Sequence, residues 1–318
     1  MFRVSVWDKG LSERYLRLVT QLGADAIDFG GAPSFPGVRE QGYPSPEGVR
    51  EIKQKIAAWG MEINRVTLPD ISAGFMRGAE GSEREIENSV KAIQVFGEAG
   101  ITVARQRFWG DVFREQMFRY RSVHRGGYLS RGETRIPPHQ APETPDKEAL
   151  DYWWSRFCAV YEHLTPAAEK YGVKLAIHPS DTPLPDTPLG GLGYHRVIDA
   201  FPSKNVGYLY CCGTRAEAGG SSLVLDEINN YGRKGRIFTV HMRNVRGSLA
   251  TAGAFEEALL DDGDMNVFKI LKELQKVGFN GCINADHIPQ LEGDYENLSF
   301  GLAYSIGYLK AMFAALAA

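Results

Sequence analysis

The sequence has little cysteine, no long hydrophobic run and no basic excess, and each absence excludes a class of protein. Four cysteines among 318 residues, without zinc-finger spacing, argue against a disulfide framework and against a zinc finger. Since no apolar run approaches about 18 residues, we expect no membrane-spanning segment. The net charge of −3 argues against a nucleic-acid partner. Residues 1–8 carry charge where a signal peptide would be apolar, so we expect a cytoplasmic protein.

What the sequence does contain is a regular alternation of short apolar, β-rich runs with runs of helical period. Eight such β/α units in order predict parallel strands joined by right-handed crossovers. A closed barrel or an open doubly wound sheet would satisfy this pattern, and the number of units and the length favour the barrel. We therefore expect residues 1–318 to form a single (β/α)8 TIM-barrel catalytic domain of the α/β class. No Gly-x-Gly-x-x-Gly motif follows an early strand, which weakens a dinucleotide-binding interpretation.

Two segments interrupt the alternation. Residues 110–146 follow the fourth predicted strand and show no clear pattern, so we expect an inserted irregular arm. A connection of this length is typical of a lid over a site or of an interface arm. Residues 243–264, which end in Asp-Asp-Gly-Asp, are also predicted to be a loop.

Four side chains that can bind a metal end four successive apolar runs in the second half of the chain. They are His178, Cys211, His241 and Asp286. The carboxyl ends of the strands of a parallel barrel meet at one rim, where active sites of this fold lie. Two imidazoles, a thiolate and a carboxylate suit a borderline divalent ion such as Zn²⁺, Mn²⁺, Fe²⁺ or Co²⁺. The pattern therefore predicts a metal centre at this rim.

Arginines accompany these groups at the same predicted rim. Residues at i and i+2 of a strand face the same side, so Arg105 pairs with Arg107, and Arg243 lies on the face of His241. Guanidinium groups in such positions can hold a substrate carboxylate by paired hydrogen bonds. For Arg105 and Arg107 the alternative is a salt-bridge pair at the rim.

Six short segments, in order along the chain, resemble the mannonate dehydratase family. They are residues 83–88 (Glu-Arg-Glu-Ile-Glu-Asn), 176–181 (Ala-Ile-His-Pro-Ser-Asp), 211–214 (Cys-Cys-Gly-Thr), 241–245 (His-Met-Arg-Asn-Val), 262–265 (Asp-Gly-Asp-Met) and 286–287 (Asp-His). The family's counterparts include Ile-His-Pro-Asp-Asp-Pro-Pro, Cys-x-Gly-Ser/Thr and His-x-Arg-Asn-Val/Ile. The resemblance runs along most of the chain.

The resemblance implies a xylose-isomerase-like barrel that dehydrates D-mannonate, a small sugar acid, to 2-keto-3-deoxy-D-gluconate. It implies Mn²⁺ or a similar ion on the four predicted ligands, with Cys211 rather than Cys212 as the thiolate. It also implies that His287 is catalytic and that Asn244 and Asp262 lie at the substrate-binding site. Barrels of this type often form oligomers, so we expect a homo-oligomer.

This chain departs from the family's pattern in two places. The family's Arg-Trp-Tyr-Gly opening is replaced by residues 4–8 (Val-Ser-Val-Trp-Asp). Its catalytic tyrosine, in a Gly-Tyr-Gly-Leu stretch, corresponds here to Phe300. Tyr304 is therefore predicted to serve as the catalytic tyrosine, and the alternatives are Tyr308 or no tyrosine at this position. Two other functions remain open: a metal-dependent sugar isomerase or epimerase on the same barrel, and a sugar-acid binding protein without catalysis.

Overall fold

The computed structural model describes residues 2–110, 112–294 and 299–318. The described residues form twelve strands, eight in a closed parallel barrel and four in a second, antiparallel sheet. In chain order the strands are β1 (Arg3–Trp7), β2 (Ala26–Asp28), β3 (Glu62–Thr67), β4 (Val103–Arg105), β5 (Met117–Val123), β6 (Leu129–Arg135), β7 (Lys174–Ile177), β8 (Val206–Cys211), β9 (Ile237–Met242), β10 (Asn244–Ser248), β11 (Ala254–Ala258) and β12 (Cys282–Ala285).

The barrel closes in the order β1-β12-β9-β8-β7-β4-β3-β2. Each neighbouring pair is parallel, and β1 pairs with both β2 and β12, so the sheet has no open edge. This confirms the predicted (β/α)8 barrel and excludes the open sheet. Strands β8, β9 and β12 are buried along their whole length, as expected for strands covered on both faces.

Helices surround the barrel and connect its strands. The α-helices are α1 (Glu13–Leu22), α2 (Val38–Gln41), α3 (Pro46–Ala57), α4 (Ala73–Met76), α5 (Arg84–Glu98), α6 (Lys147–Tyr171), α7 (Gly191–His195), α8 (Val197–Ala200), α9 (Cys212–Arg233), α10 (Leu249–Ala252), α11 (Val267–Lys276) and α12 (Ser299–Ala317). Short 3₁₀ helices span Lys9–Leu11, Ala32–Ser34, Val112–Gln116 and Arg125–Gly127.

The ends of the longer helices follow from local chemistry. Ser12 accepts a hydrogen bond from the backbone of α1, and Gly23, at φ 86°, ends that helix in the left-handed region where glycine costs least. Asp146 caps α6 in the same way as Ser12 caps α1. Helix α9 begins directly after Cys211, and Gly220 interrupts it with φ 76°.

The sequence predicts an irregular arm after the fourth barrel strand, but the structure has two regular strands there. Its residues form the hairpin of β5 and β6, and β6 pairs with β11, so that the second sheet has the order β10-β11-β6-β5. The expected loop at 243–264 supplies the other two strands. The prediction of irregular structure was wrong because the two hairpins join into one sheet through β6 and β11, which lie more than 100 residues apart in sequence, and local pattern does not reveal such a pairing. We call these four strands the inserted sheet.

A polar layer lies inside the barrel. The buried Asp28 carboxylate accepts hydrogen bonds from Ser5, Asn64 and Asn284, which lie on three other strands. Buried carboxylates need such partners, because an unpaired charge in the interior is costly.

Helix α12 is apolar on most of its surface. It is long and hydrophobic enough to cross a membrane by length and composition, with a mean hydropathy of 1.4, and 33% of it is buried inside the protein. One such helix is weak evidence, because core helices of other proteins share these properties. Here Leu302, Ile306 and Leu309 pack into the core.

The close packing around β8 gives a test of the barrel. A Cβ at Gly207 would meet the Arg236 carbonyl oxygen and the Phe238 ring, whereas one at Gly307 on α12 would meet nothing. We expect Gly207→Ala to lower the free energy of unfolding by about 1–3 kcal/mol, the scale of overpacking. The matched control, Gly307→Ala, should leave it unchanged or raise it by up to about 1 kcal/mol. Urea denaturation measures both, and an unchanged midpoint for Gly207→Ala would contradict the packing described.

Candidate metal centre and active site

Strand register brings three metal-capable side chains together. Cys211 at the end of β8 lies in register with His241 on β9, and His178 directly follows β7. Their ligand atoms all lie within 4.8 Å of one another, and all three residues are buried. Three of the four predicted ligands therefore meet at the carboxyl end of the barrel.

Both imidazoles have ring nitrogens that remain available to a cation. His178 donates from Nδ1 to the Pro179 carbonyl oxygen at 2.6 Å, which leaves the lone pair of Nε2 available. Neither buried ring nitrogen of His241 has a hydrogen-bond partner among the described residues. Burial, and then the charge of Arg105, lower the pKa of His178 and favour the neutral ring that a metal requires. Buried nitrogens without partners are unfavourable in a folded protein, and a bound cation would satisfy them.

The thiol of Cys211 is held as an acceptor. It receives hydrogen bonds from the Thr214 backbone at 3.4 Å and the Thr214 hydroxyl at 3.2 Å. Although burial raises its pKa, the charge of Arg243 and the proximity of His241 lower the pKa of Cys211 below its usual value. The next residue, Cys212, lies in the apolar core, and burial raises the pKa of that thiol well above its usual range. Of the two neighbouring cysteines, Cys211 is the one whose sulfur lies in the metal-capable cluster.

The fourth predicted ligand, Asp286, lies beside the cluster. Its Oδ2 is 3.5 Å from His241 Nδ1 and accepts from Arg243 Nη1 at 2.6 Å. Burial opposes ionisation, but the charges of His287, His241 and Arg243 hold the pKa of this carboxyl well below its usual range. Asp286 does not belong to the set whose ligand atoms all lie within 4.8 Å, so its role as a ligand stays a prediction.

Arg243 uses its guanidinium on protein groups. Nη1 donates to Cys211 Sγ at 3.4 Å and to Asp286, and Nη2 donates to the Thr214 hydroxyl at 3.0 Å and to Glu217 at 2.8 Å. Nε donates to Glu217 at 3.1 Å. Because a guanidinium has five N–H donors, none remains for a substrate in this arrangement. The predicted contact between Arg243 and substrate would require one of these bonds to break.

His287 follows Asp286, and its ring is held by a hydrogen bond with Glu257, a residue that the sequence did not point to. Its Nδ1 lies 2.5 Å from Oε1 of the buried Glu257 on β11, and its Nε2 lies 3.7 Å from Asp286 Oδ2. The backbone of His287 has φ 47°, in the left-handed region. Burial lowers the pKa of His287, but Asp286 and the hydrogen bond to Glu257 raise it above its ordinary value.

Arg105 and Arg107 line one cavity beside the metal-capable cluster. The cavity has a volume of about 240 Å³ and is bordered by His178 and Trp109. Arg107 makes a paired salt bridge to Asp70, with distances of 2.8 and 2.6 Å. Arg105 Nε is buried and lacks a hydrogen-bond partner within the part of the chain that is described. The salt-bridge alternative therefore holds for Arg107, with Asp70 as the partner, whereas Arg105 is open to an anion.

A second cavity is bordered by the fourth predicted ligand, Asp286. It has a volume of about 310 Å³ and is lined by Trp7, Lys9, Tyr15, Asp286 and His287, among others. The predicted acid–base residue therefore borders open space next to Asp286. A small ligand in this cavity can reach His287 and Asp286.

The two family-derived substrate residues are engaged with other parts of the protein. Asn244 donates to the carbonyl oxygens of Leu260 and Met265, and its own oxygen accepts from two backbone amides. Asp262 accepts from Tyr128 at 2.8 Å and Arg246 at 2.6 Å. These bonds fix the loop that follows β11, and the predicted substrate contacts of both residues stay predictions.

The predicted catalytic tyrosine lies in a different group of side chains. Tyr304 contacts Asp261 and Arg125, and burial followed by its bond to Asp261 raises its pKa to about 12. It lines a cavity of about 530 Å³ whose described lining contains none of the four predicted ligands. Tyr308 stacks on Tyr304, and Phe300 is 59% exposed. The structure therefore does not bring a tyrosine of α12 to the cluster, and the catalytic role of Tyr304 stays a prediction.

Sequence reasoning missed Glu217 and Glu257. Both are buried acids that pair with Arg243, and Glu257 also contacts His287. The one available signal was an acidic residue within a short β-rich run, Ala-Phe-Glu-Glu-Ala at residues 254–258. That pattern is equally common on solvent-exposed strands, so it did not distinguish this site.

Comparisons with known proteins point to one family. The family model described as D-mannonate dehydratase (UxuA) matches residues 143–318. A mannonate dehydratase of Brachyspira hyodysenteriae is 26% identical over 315 residues, covering 85% of this chain and 86% of the relative. One from Streptococcus agalactiae serotype III is 23% identical, covering 91% and 94%.

Solved structures share the fold. The mannonate dehydratase of Streptococcus suis serotype 2 superimposes with a TM-score of 0.81 at 21% identity, covering 99% of this chain and 95% of that one. A D-tagatose 3-epimerase-like protein has a TM-score of 0.62 at 18% identity, covering 99% and 98%. At these identities the superpositions establish a common barrel architecture.

The cluster predicts metal binding that can be measured without turnover. Replacing His241 with Ala should weaken metal binding at least about 10-fold, since losing even an outer partner of a ligand costs this much. Elemental analysis after dialysis measures the bound metal, with the exposed His139→Ala as the control. In cobalt-substituted protein, Cys211→Ser should abolish the thiolate-to-cobalt absorption band. Equal metal content in His241→Ala and His139→Ala would refute the site.

Proposed function

The chain belongs to the D-mannonate dehydratase (UxuA) family, whose model spans more than half of it, and we propose that it dehydrates D-mannonate to 2-keto-3-deoxy-D-gluconate. The observation that carries the proposal is the meeting of Cys211, His178 and His241 at the rim of the barrel. A thiolate with two imidazoles binds a borderline divalent ion, and dehydration next to a carboxylate benefits from one.

We propose Mn²⁺ as the ion, with Fe²⁺, Co²⁺ and Zn²⁺ as chemically acceptable substitutes. His178, Cys211 and His241 would hold it, and Asp286, 3.5 Å from His241, would complete the set. When bound, such an ion supplies positive charge that stabilises the anion formed as C2 of the substrate loses its proton.

His287 is the proposed acid–base group. Dehydration removes the proton on C2 and the hydroxyl group on C3, which leaves as water after it gains a proton. The resulting enol then becomes the 2-keto-3-deoxy acid. The imidazole of His287 borders the second cavity. Histidine as a residue type changes its charge within the physiological pH range, so it can take up or deliver a proton at these carbons.

Arg105 is the proposed partner of the substrate carboxylate. Its buried Nε lacks a hydrogen-bond partner among the described groups, and it lies on the cavity that His178 borders. A charge-assisted bond to a carboxylate would satisfy this donor. Arg107 would act through Asp70, and Arg243 through the metal-binding side chains that it orients.

A cytoplasmic location and a homo-oligomeric state are also part of the proposal. The inserted sheet ends at β5, whose Phe118 and Val123 are 59% and 66% exposed. Exposed apolar side chains on an edge strand are typical of a surface that pairs with another chain. The arm would then be an interface rather than a lid.

The proposed reaction can be tested by its product and by the fall in kcat when His287 is replaced. Purified protein loaded with Mn²⁺ should convert D-mannonate to a 2-keto-3-deoxy acid, detected by a periodate–thiobarbiturate assay. His287→Asn should lower kcat about 100-fold or more, the scale of general acid–base catalysis, with bound metal unchanged. Because Asn tolerates positive φ, the backbone at this position is preserved.

Different outcomes of the same assay would favour the two alternative functions, an isomerase or epimerase and a binding protein without catalysis. Interconversion of ketoses or aldoses with no keto-deoxy acid would identify an isomerase or epimerase. Metal-dependent binding of an aldonate without any product would identify a binding protein. Full turnover by His287→Asn would remove His287 from the mechanism.

Substitution of Arg105 tests the carboxylate contact. Arg105→Gln should raise KM for D-mannonate by about 10- to 100-fold, since a hydrogen bond to a charged group contributes about 1.5–3 kcal/mol. Arg17→Gln, on the exposed face of α1, is the control and should leave KM unchanged. Steady-state kinetics measure both variants, and an unaltered KM in Arg105→Gln would contradict the assignment.

A further inference from the structure

Glu257 lies where the inserted sheet reaches the active site. It is buried, and its Oε1 lies 2.5 Å from His287 Nδ1, 2.8 Å from an Arg131 guanidinium nitrogen and 3.3 Å from Arg243 Nε. Burial opposes its ionisation, but His287 and then Arg243 lower the pKa of Glu257 below its usual value. A carboxylate with these partners is ionised and held in one position.

The contact with Glu257 determines which nitrogen of His287 faces the substrate. An ionised carboxylate only accepts hydrogen bonds, so the hydrogen between the two groups is carried by Nδ1. The other nitrogen, Nε2, lies on the side of Asp286, at 3.7 Å from its Oδ2, and His287 borders the second cavity. The neutral ring in this orientation offers the lone pair of Nε2 to a ligand.

We propose that Glu257 is a positioning residue that fixes the tautomer and the orientation of His287 for proton transfer. The inference rests on the proposed function of His287. Glu257 does not touch the reacting atoms, so it acts only through the imidazole. Deleting its carboxylate therefore changes the rate of proton transfer and leaves metal binding intact.

The inserted sheet holds Glu257 in place. Arg131 on β6 pairs with Glu257 and also with Glu217 of α9 at 3.1 Å. The Ser130 hydroxyl donates to the Glu257 carbonyl oxygen at 2.5 Å. The hairpin inserted after β4 therefore supports a residue on β11 that contacts the end of β12. In this view the inserted sheet is a part of the catalytic apparatus.

A double-mutant cycle separates positioning from a merely structural role. The variants are Glu257→Ala and Glu257→Gln, each made in the wild-type and the His287→Asn background. The matched control is Glu256→Gln, because Glu256 is the next residue of the same strand and contacts Tyr120 and His124 instead. The measurements are kcat and KM for D-mannonate, bound metal and the midpoint of urea unfolding.

We expect Glu257→Ala to lower kcat about 10- to 100-fold, the usual scale for losing the partner of a functional histidine, at unchanged KM and metal content. Glu257→Gln keeps an acceptor oxygen and should recover part of this loss, and Glu256→Gln should behave as wild type. In the His287→Asn background the loss should vanish, because residues that act as a unit are not additive.

Two results would overturn the inference. Wild-type kcat in Glu257→Ala would show that the contact has no role, and an equal loss in both backgrounds would show that Glu257 acts independently of His287. An inactive wild-type protein would instead refute the proposed function itself.

If Glu257→Ala does not fold, a measurement on the wild-type protein can still test whether His287 has the tautomer that Glu257 would impose. Long-range ¹H–¹⁵N NMR spectra report which ring nitrogen of a histidine carries hydrogen, and the His287→Asn variant assigns the signal. At a pH where the ring is neutral, hydrogen on Nδ1 supports the inference, and hydrogen on Nε2 refutes it.

Discussion

The active site depends on one buried guanidinium. Three acids, Glu217, Glu257 and Asp286, and the Cys211 thiol lie within reach of Arg243 at the end of the barrel, and each charge would be costly to bury alone. Its donors reach Cys211, Asp286 and Glu217, so it balances their charges and fixes their positions at once. Removing one member of such a group leaves the others uncompensated. The charged groups of the site therefore depend on one another, and the metal-capable side chains are only a part of this network.

Much of the architecture could be predicted from sequence because its signals are local. Strands β7, β8, β9 and β12 each appear as a short apolar run that ends near a metal-capable residue. The fold then places parallel strand ends at one rim, so proximity follows from topology alone. The register of Cys211 with His241 agrees with that expectation. The resemblance to a known family added the choice of Cys211 over Cys212 and the substrate.

What could not be predicted depends on contacts between distant parts of the chain. The pairing of β6 with β11 joins segments on either side of three barrel strands, and neither segment has a strong alternation of its own. Arg131 reaches Glu257 through that pairing. The salt bridge of Arg107 likewise joins distant residues, since its partner Asp70 lies 37 residues earlier in the chain. Tyr304 was predicted from its position near a family motif. Such a position does not determine how far the side chain lies from the metal-capable cluster or which way it points.

The backbone at His287 has an evolutionary consequence. Its φ of 47° lies in a region that glycine and asparagine enter readily and that costs other residues about 1–2 kcal/mol. On the proposed role of His287, this local cost in stability is carried for proton transfer, and an asparagine at the same position would relieve it. Lineages that lose the need for turnover should therefore drift first here, and become more stable as they lose the enzyme.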